Sequence, residues 1–456
     1  MIVARALSVA NFGLFSTLIA IVVILSKVVD FGVEPIVFRE FAKNKNDFSL
    51  FNTALTLRFI LFLVVFFFFN LVAGVLNFSS EEIFLTNILF FTIVFSSKIV
   101  VIRELLATPF KANLKMHYPV SMAILDQLTL LLLVVLMYYI KAELLYFIIV
   151  YTFSNLPGFI LMFFFLHKKF NYKFRINLSN VKWLIKQSLP MFGFVILITI
   201  FLQMDLLFLK YYNGSVDAGI YSAALRLTMP LSIVPTAIIT TVFPILVEKI
   251  SNKISTDKLI NFIFKILYAS ALIFAVVFMF KAKAIVTLVW GNNYAASALP
   301  TTILFWLQVF LFINFFAIFM LIAHDRQFYN FVYSAILISI NLVLDFILIP
   351  QYSFEGAAIA KLIAGIAGFI FIVIILKKFK INFSLKIIIF VIWTFLLIFV
   401  VWAIAILTSL LLYLILVPGI IIIITLLTKF FMKEELFVFF KLVHKEKLGK
   451  RILRFK

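Results

Sequence analysis

The chain has 456 residues, of which 65% are hydrophobic and only 13% charged, with a mean hydropathy of +1.21. Soluble globular chains are nearer ~45–50% apolar and ~25% charged, so a string of soluble domains is excluded; the apolar runs also lack the short alternation of a β-barrel. The net charge of +21 would suggest nucleic acid in a soluble protein, but in a membrane chain its first explanation is topogenic, because cytoplasmic loops collect Lys and Arg.

Thirteen apolar stretches predict membrane-spanning helices at 14–36, 56–76, 83–103, 119–140, 144–166, 184–210, 218–247, 259–280, 299–322, 329–349, 356–376, 386–407 and 409–432. Alternate connections hold 31 basic residues on one side and only Lys141, Lys210, Lys281 and Lys283 on the other. The first side is therefore expected to be cytoplasmic, together with the C-terminus. Arg103 is counted there as a loop residue. The segment 433–456, rich in Phe, Leu and Lys, predicts an amphipathic helix on anionic membrane lipids. With no cysteine, disulfides and thiolate metal sites are excluded. No metal-ligand cluster or nucleotide-binding glycine loop is found either, so no cofactor and no catalytic residue is expected. An integral-membrane polymerase or ligase would need an outer loop with catalytic groups, and the longest, near 281–298, carries only Lys281 and Lys283 as charges.

A weak parallel repeat runs through the chain. Gly13-Leu14-Phe15-Ser16 matches Gly219-Ile220-Tyr221-Ser222, and Ala112–Tyr118 matches Ala323–Tyr329. The offsets of 206 and 211 preserve order and sidedness, which predicts two halves of six helices related by an axis along the membrane normal. The expected division is an N-terminal bundle at 1–170 (five spans), a six-helix bundle at 171–380, two extra spans at 381–432 and the basic tail at 433–456. The first half lacks a counterpart of the span at 184–210. This points to a further helix upstream or a truncated gene product, unless the chain belongs to a variant without that helix.

Several motifs then resemble a known family. Ala4-Arg5-Ala6-Leu7, Asn11–Ser16, Asp30-Phe31-Gly32-Val33 and Arg39-Glu40-Phe41-Ala42 resemble the start of Wzx-type polysaccharide flippases of the MOP (MATE-like) superfamily. Phe110–Met116, Ala218–Leu227, Ile347–Pro350 and Glu355–Ala360 continue the likeness in the family's order over nearly the whole chain. The resemblance implies two six-helix bundles forming a V-shaped cleft, plus two C-terminal helices. It also implies flipping of an undecaprenyl-pyrophosphate-linked oligosaccharide across the bacterial cytoplasmic (inner) membrane, for surface polysaccharide such as O-antigen. Polysaccharide polymerase and glycosyltransferases would be its partners. The first helix is where the sequence departs from the family.

Moving a glycan and a pyrophosphate through hydrocarbon calls for cations in a wet cleft, and a charge within a span costs ~2.5–3.5 kcal/mol on insertion scales. Of the five basic residues counted on neither side, Arg5 precedes the first span and four fall inside spans: Lys27, Arg58, Arg226 and Lys361. Lys27 is either a cleft cation or neutralised by Asp30 at i+3; Arg58, near its span end, is expected to snorkel. Arg226 is either an anion contact or a partner for Asp205 or Asp217, and Lys361 lies on a surface of small residues. Asp30, Asp126, Asp205 and Asp345 could couple transport to ions; alternatively each carboxylate pairs with a cation or an Asn, as Asp345 could with Asn341. The four histidines sit at the basic rim. A MATE-like antiporter of small molecules is the competing reading, and it would want buried acids without buried bases.

Overall fold

The computed structural model describes residues 2–430 apart from 46, 100, 142, 380, 382–386 and 429. Every element among them is helical. The tail at 433–456, with His444, lies outside the described residues. The chain divides into two compact units, 1–219 and 220–456.

The first unit contains α1 (Ile2–Ala6), α2 (Val9–Asp30), α3 (Glu34–Lys43), α4 (Ser49–Ala73), α5 (Ser80–Phe90), α6 (Thr92–Phe95), α7 (Ile102–Ala112), α8 (His117–Tyr139), α9 (Leu144–Phe153), α10 (Leu156–Phe170) and α11 (Val181–Asn213). Ser8 caps α2 by accepting from the Asn11 amide, and a Ser79–Glu82 capping box starts α5. At the far end of α2, Phe31 (φ 50°) and Gly32 (φ 65°) turn the chain sharply. The Phe31 ring then stacks on Phe192 of α11 at 4.5 Å. That contact helps to seat α11 along α2. At its other end α2 meets the start of α12 (Ser215–Thr228): a Cβ on Gly13 would strike the Ser215 carbonyl, and one on Gly219 the Val9 carbonyl. The two glycines aligned by the sequence repeat therefore pack against each other.

The second unit holds the rest of α12, a 3-10 turn at Met229–Ser232, α13 (Ile233–Ser251), α14 (Asp257–Trp290), α15 (Ala298–Ala323), α16 (Phe328–Lys378), α17 (Ile387–Leu407) and α18 (Leu410–Leu427). A straight helix as long as α16 would far exceed a ~30 Å hydrocarbon core. It is instead two arms folded back at Ser353 (φ 48°, ψ −131°). Gly356 abuts Leu348, and Gly368 abuts Tyr333 and Leu337, so the small residues permit close antiparallel packing.

Among the described residues, nine helices are long and apolar enough to cross a membrane. The second arm of α16, the shorter pair α17 and α18, and α5–α7 correspond to the four remaining expected spans. The expectation of one unbroken span at 83–103 is corrected: the helix stops after Phe95 and restarts at Ile102. α14 also continues through the region expected as an outer loop, bending at Lys281, whose ammonium meets the Thr408 carbonyl at 3.4 Å. Outward faces of α4 (Phe67, Phe68, Leu71) and α8 (Leu128, Leu132, Leu136) are apolar and exposed, as lipid contact requires.

The repeat is most visible in its turns. Leu114 and Asp325 both adopt φ 57°. The Lys115 amide donates to Phe110 at 2.8 Å and the Arg326 amide to Leu321 at 2.7 Å; Leu114 and Asp325 donate to Lys111 and Ile322. Above each turn a cation covers a ring, Lys115 over Phe170 and Arg326 over Phe379. Equivalent positions thus repeat both the backbone bonding and the side-chain contact.

Candidate functional site

Three of the predicted residues converge in the first unit. Asp30, at the end of α2, forms an ion pair with Arg58 of α4 rather than with Lys27. Arg58 does not snorkel; it is fully buried, and its Nη1 donates to the Val101 carbonyl at 2.6 Å. Lys27 is half-buried and forms no ion pair among the described residues, although the charges of Asp30 and Arg58 act on it. Both of its charged neighbours are engaged with each other, so its ammonium is the group in this cluster open to a further anion. Alongside, Lys111 of α7 bridges Glu34 at 3.2 Å and Glu104.

Asp126 of α8 is buried against Arg103, the residue expected in a loop. The physical reason is the broken helix. An interruption at bilayer depth frees carbonyls that no water can satisfy, and Arg103 reaches the Phe95 carbonyl at 3.2 Å and that of Asn155, where α9 gives way to α10, at 3.3 Å. Arg58 does the same for Val101. Gly158 completes the site, donating its amide to Asp126 at 3.1 Å from a position where a Cβ would collide with both charged groups. Sequence reading missed Arg103; the pair Ser96-Ser97 in an otherwise apolar run was the available signal. Asp205 of α11 is likewise fully buried in this unit.

In the second unit Arg226 is exposed, its Nε donating to Ser222 at 3.4 Å. Beyond it, exposed hydroxyls accompany apolar Ile233 and Ala237 along α13. Ser232, Thr236, Thr240 and Thr241 are all exposed, with hydroxyls turned onto backbone carbonyls at 2.7–2.9 Å. Each donated proton is thereby spent within the helix, leaving an oxygen that can accept from a ligand. This polar stripe was not foreseen, because only charges were followed inside spans. Lys361 is 2% exposed and lies 6.0 Å from the centre of the Tyr221 ring. Asp345 is fully buried and accepts from Asn341 at 2.8 Å, as the sequence allowed. Among the described residues no cluster of three metal-ligating side chains is found.

Residues 1–250 match the family described as Polysaccharide biosynthesis protein. No curated protein matches the sequence. Among solved structures the chain is similar to lipid II flippase MurJ in an inward closed conformation, with a TM-score of 0.71 and 18% identity over 95% of this chain and 97% of that one. It is less similar to an inward-facing multidrug resistance MATE family transporter of the MOP superfamily, with a TM-score of 0.57 and 12% identity over 82% of this chain and 92% of that one. The Vibrio cholerae MATE transporter VcmN in its bent form follows, with a TM-score of 0.51 and 12% identity over 82% and 88%. At these identities the likeness is one of fold. The family match covers more than half of the chain, which therefore belongs to the polysaccharide biosynthesis protein family, as a multi-pass membrane protein with the fold of MurJ and the MATE transporters.

Proposed function

We propose that this member of the family flips a polyprenyl-pyrophosphate-linked oligosaccharide from the cytoplasmic to the outer leaflet of the cytoplasmic membrane. The observation that carries the reading is Lys27, a half-buried ammonium in the last turn of α2 without an ion-pair partner among the described residues. A charge at a span's centre costs ~2.5–3.5 kcal/mol on insertion scales and less toward its end, and an anionic substrate group offsets that cost. Within the second unit, exposed Arg226 and the hydroxyls of α13 form a polar group of their own, a cation and a row of acceptors suited to phosphate and sugar hydroxyls. The polyprenyl chain stays in lipid and asks nothing of the protein interior. Without a nucleotide site, a gradient or the substrate's own concentration difference drives the step.

An antiporter of cationic small molecules is less well supported, because Asp30 and Asp126 are held in ion pairs and Asp345 accepts from an amide. The test is accumulation of lipid-linked sugar in a strain lacking the chain, rescued by variants at matched membrane abundance. Lys27→Ala and Arg226→Ala are each expected to cut transport by about 10-fold, the loss of one charge-assisted contact. Full rescue by both variants would sink the reading.

A further inference from the structure

The first unit carries another polar concavity, remote in character from the buried ion pairs. Residues 171–180, between α10 and α11, fold over the N-terminus of α4. The Asn177 amide donates to Thr56 Oγ1 at 3.2 Å, and its Nδ2 donates to the Ser49 carbonyl at 3.2 Å and hydroxyl at 3.1 Å. Buried Tyr172 donates its hydroxyl to Asn52 Oδ1 at 2.7 Å. These bonds hold the segment in place around a cavity of about 440 Å³, walled chiefly by Ser49, Asn52, Asn171, Tyr172, Lys173 and Arg175.

The donor inventory of that wall is unbalanced. Asn52 lines the cavity, is 7% exposed and spends its oxygen on Tyr172, which leaves its Nδ2 without an acceptor among the described residues. Ser49 Oγ accepts from Asn177, so its own proton remains to be donated. Lys173 and Arg175 are exposed at the rim. No carboxylate lines the cavity; Asp47 is turned aside to take the Ser49 amide at 2.8 Å. Two cations, two donors lacking acceptors and the first turn of a long helix converge on one space.

We propose that this cavity binds a phosphate group, presented by an anionic lipid headgroup of the adjoining leaflet or by a soluble phosphate. The assignment is independent of the transport reading, since no residue of the wall belongs to the Lys27 or Arg226 groups. Its test uses the purified full-length chain with two probes: inorganic pyrophosphate by calorimetric titration, and vesicles of phosphatidylcholine containing phosphatidylglycerol, with lipid retention read by native mass spectrometry. Binding of pyrophosphate alone identifies a soluble source, and selective retention of phosphatidylglycerol identifies a headgroup; each outcome supports the site.

Asn52→Asp keeps the acceptor for Tyr172 while replacing the free donor with a negative charge. It is expected to weaken binding by about 10-fold or more, the scale of one charge-assisted hydrogen bond. The double variant Lys173→Gln, Arg175→Gln is expected to do the same. Lys43→Gln with Lys168→Gln removes the same charge from outside the wall and is expected to leave binding within about 2-fold, the scale of screened surface charge. Absence of binding by either probe overturns the proposal. So does unchanged binding in Asn52→Asp, or an equal loss in the outside pair.

Discussion

Arg58 is an arginine fully enclosed by protein, and its role follows from what its removal would strand. Asp30 would lose its counter-charge and the Val101 carbonyl its donor. Arg58→Met is therefore expected to destabilise the protein by about 3–5 kcal/mol, the usual cost of breaking a buried pair from one side. Thermal unfolding in detergent checks this, and adding Asp30→Asn is expected to recover much of the loss. Tyr172 gives a pH dependence outside the membrane spans: burial raises its hydroxyl above the usual value near 10. For an acid raised on folding, the stabilising contribution is complete below the unfolded value and lost as pH climbs beyond it. Alkaline stability curves are expected to fall more steeply above pH 10 for the native chain than for Tyr172→Phe. Much of this site was legible at the level of single residues, since Lys27, Arg58, Asp30 and Asp126 stand out as charges in apolar runs. Their pairing was not. Asp30 stands three residues from Lys27, yet a tertiary partner 28 residues away claims it.

Single helices show the same division between composition and geometry. Hydropathy registers how apolar a stretch is but not whether its hydrogen bonds run unbroken, so 83–103 read as one span. The interruption after Phe95 then carried Arg103 from an expected loop into the interior. α13 raises the complementary difficulty. Its threonines are compatible with a span, and only exposure in the folded unit distinguishes an uncovered stripe from a packed face. Replacing Thr236, Thr240 and Thr241 together by Val keeps shape and removes the acceptors. Membrane abundance and unfolding temperature are expected to hold, while rescue of sugar transport falls by about 10-fold, as for the loss of one to two net hydrogen bonds. Equal rescue would mark the stripe as passive.

Across the molecule, the polytopic all-helical class and the positions of nearly all spans followed from apolar run length, because the bilayer tolerates so few alternatives. The sidedness rests on loop charge alone and is directly testable. With no native cysteine in the chain, Lys45→Cys and Lys173→Cys are expected to resist an impermeant maleimide added to intact cells, whereas Lys141→Cys and Lys283→Cys are expected to react. Reversed labelling would invert the assigned topology.

The paired turns at Leu114 and Asp325 show how little side-chain chemistry a helix stop requires. Leucine and aspartate share almost no chemistry, and leucine seldom adopts a left-handed conformation, yet both positions carry the same kink and the same pattern of amide donors. Asn77 and Lys253, outside the matched segments, end their helices in the same way. What the two halves have in common is therefore the place of the stop along the chain, not a special way of making it.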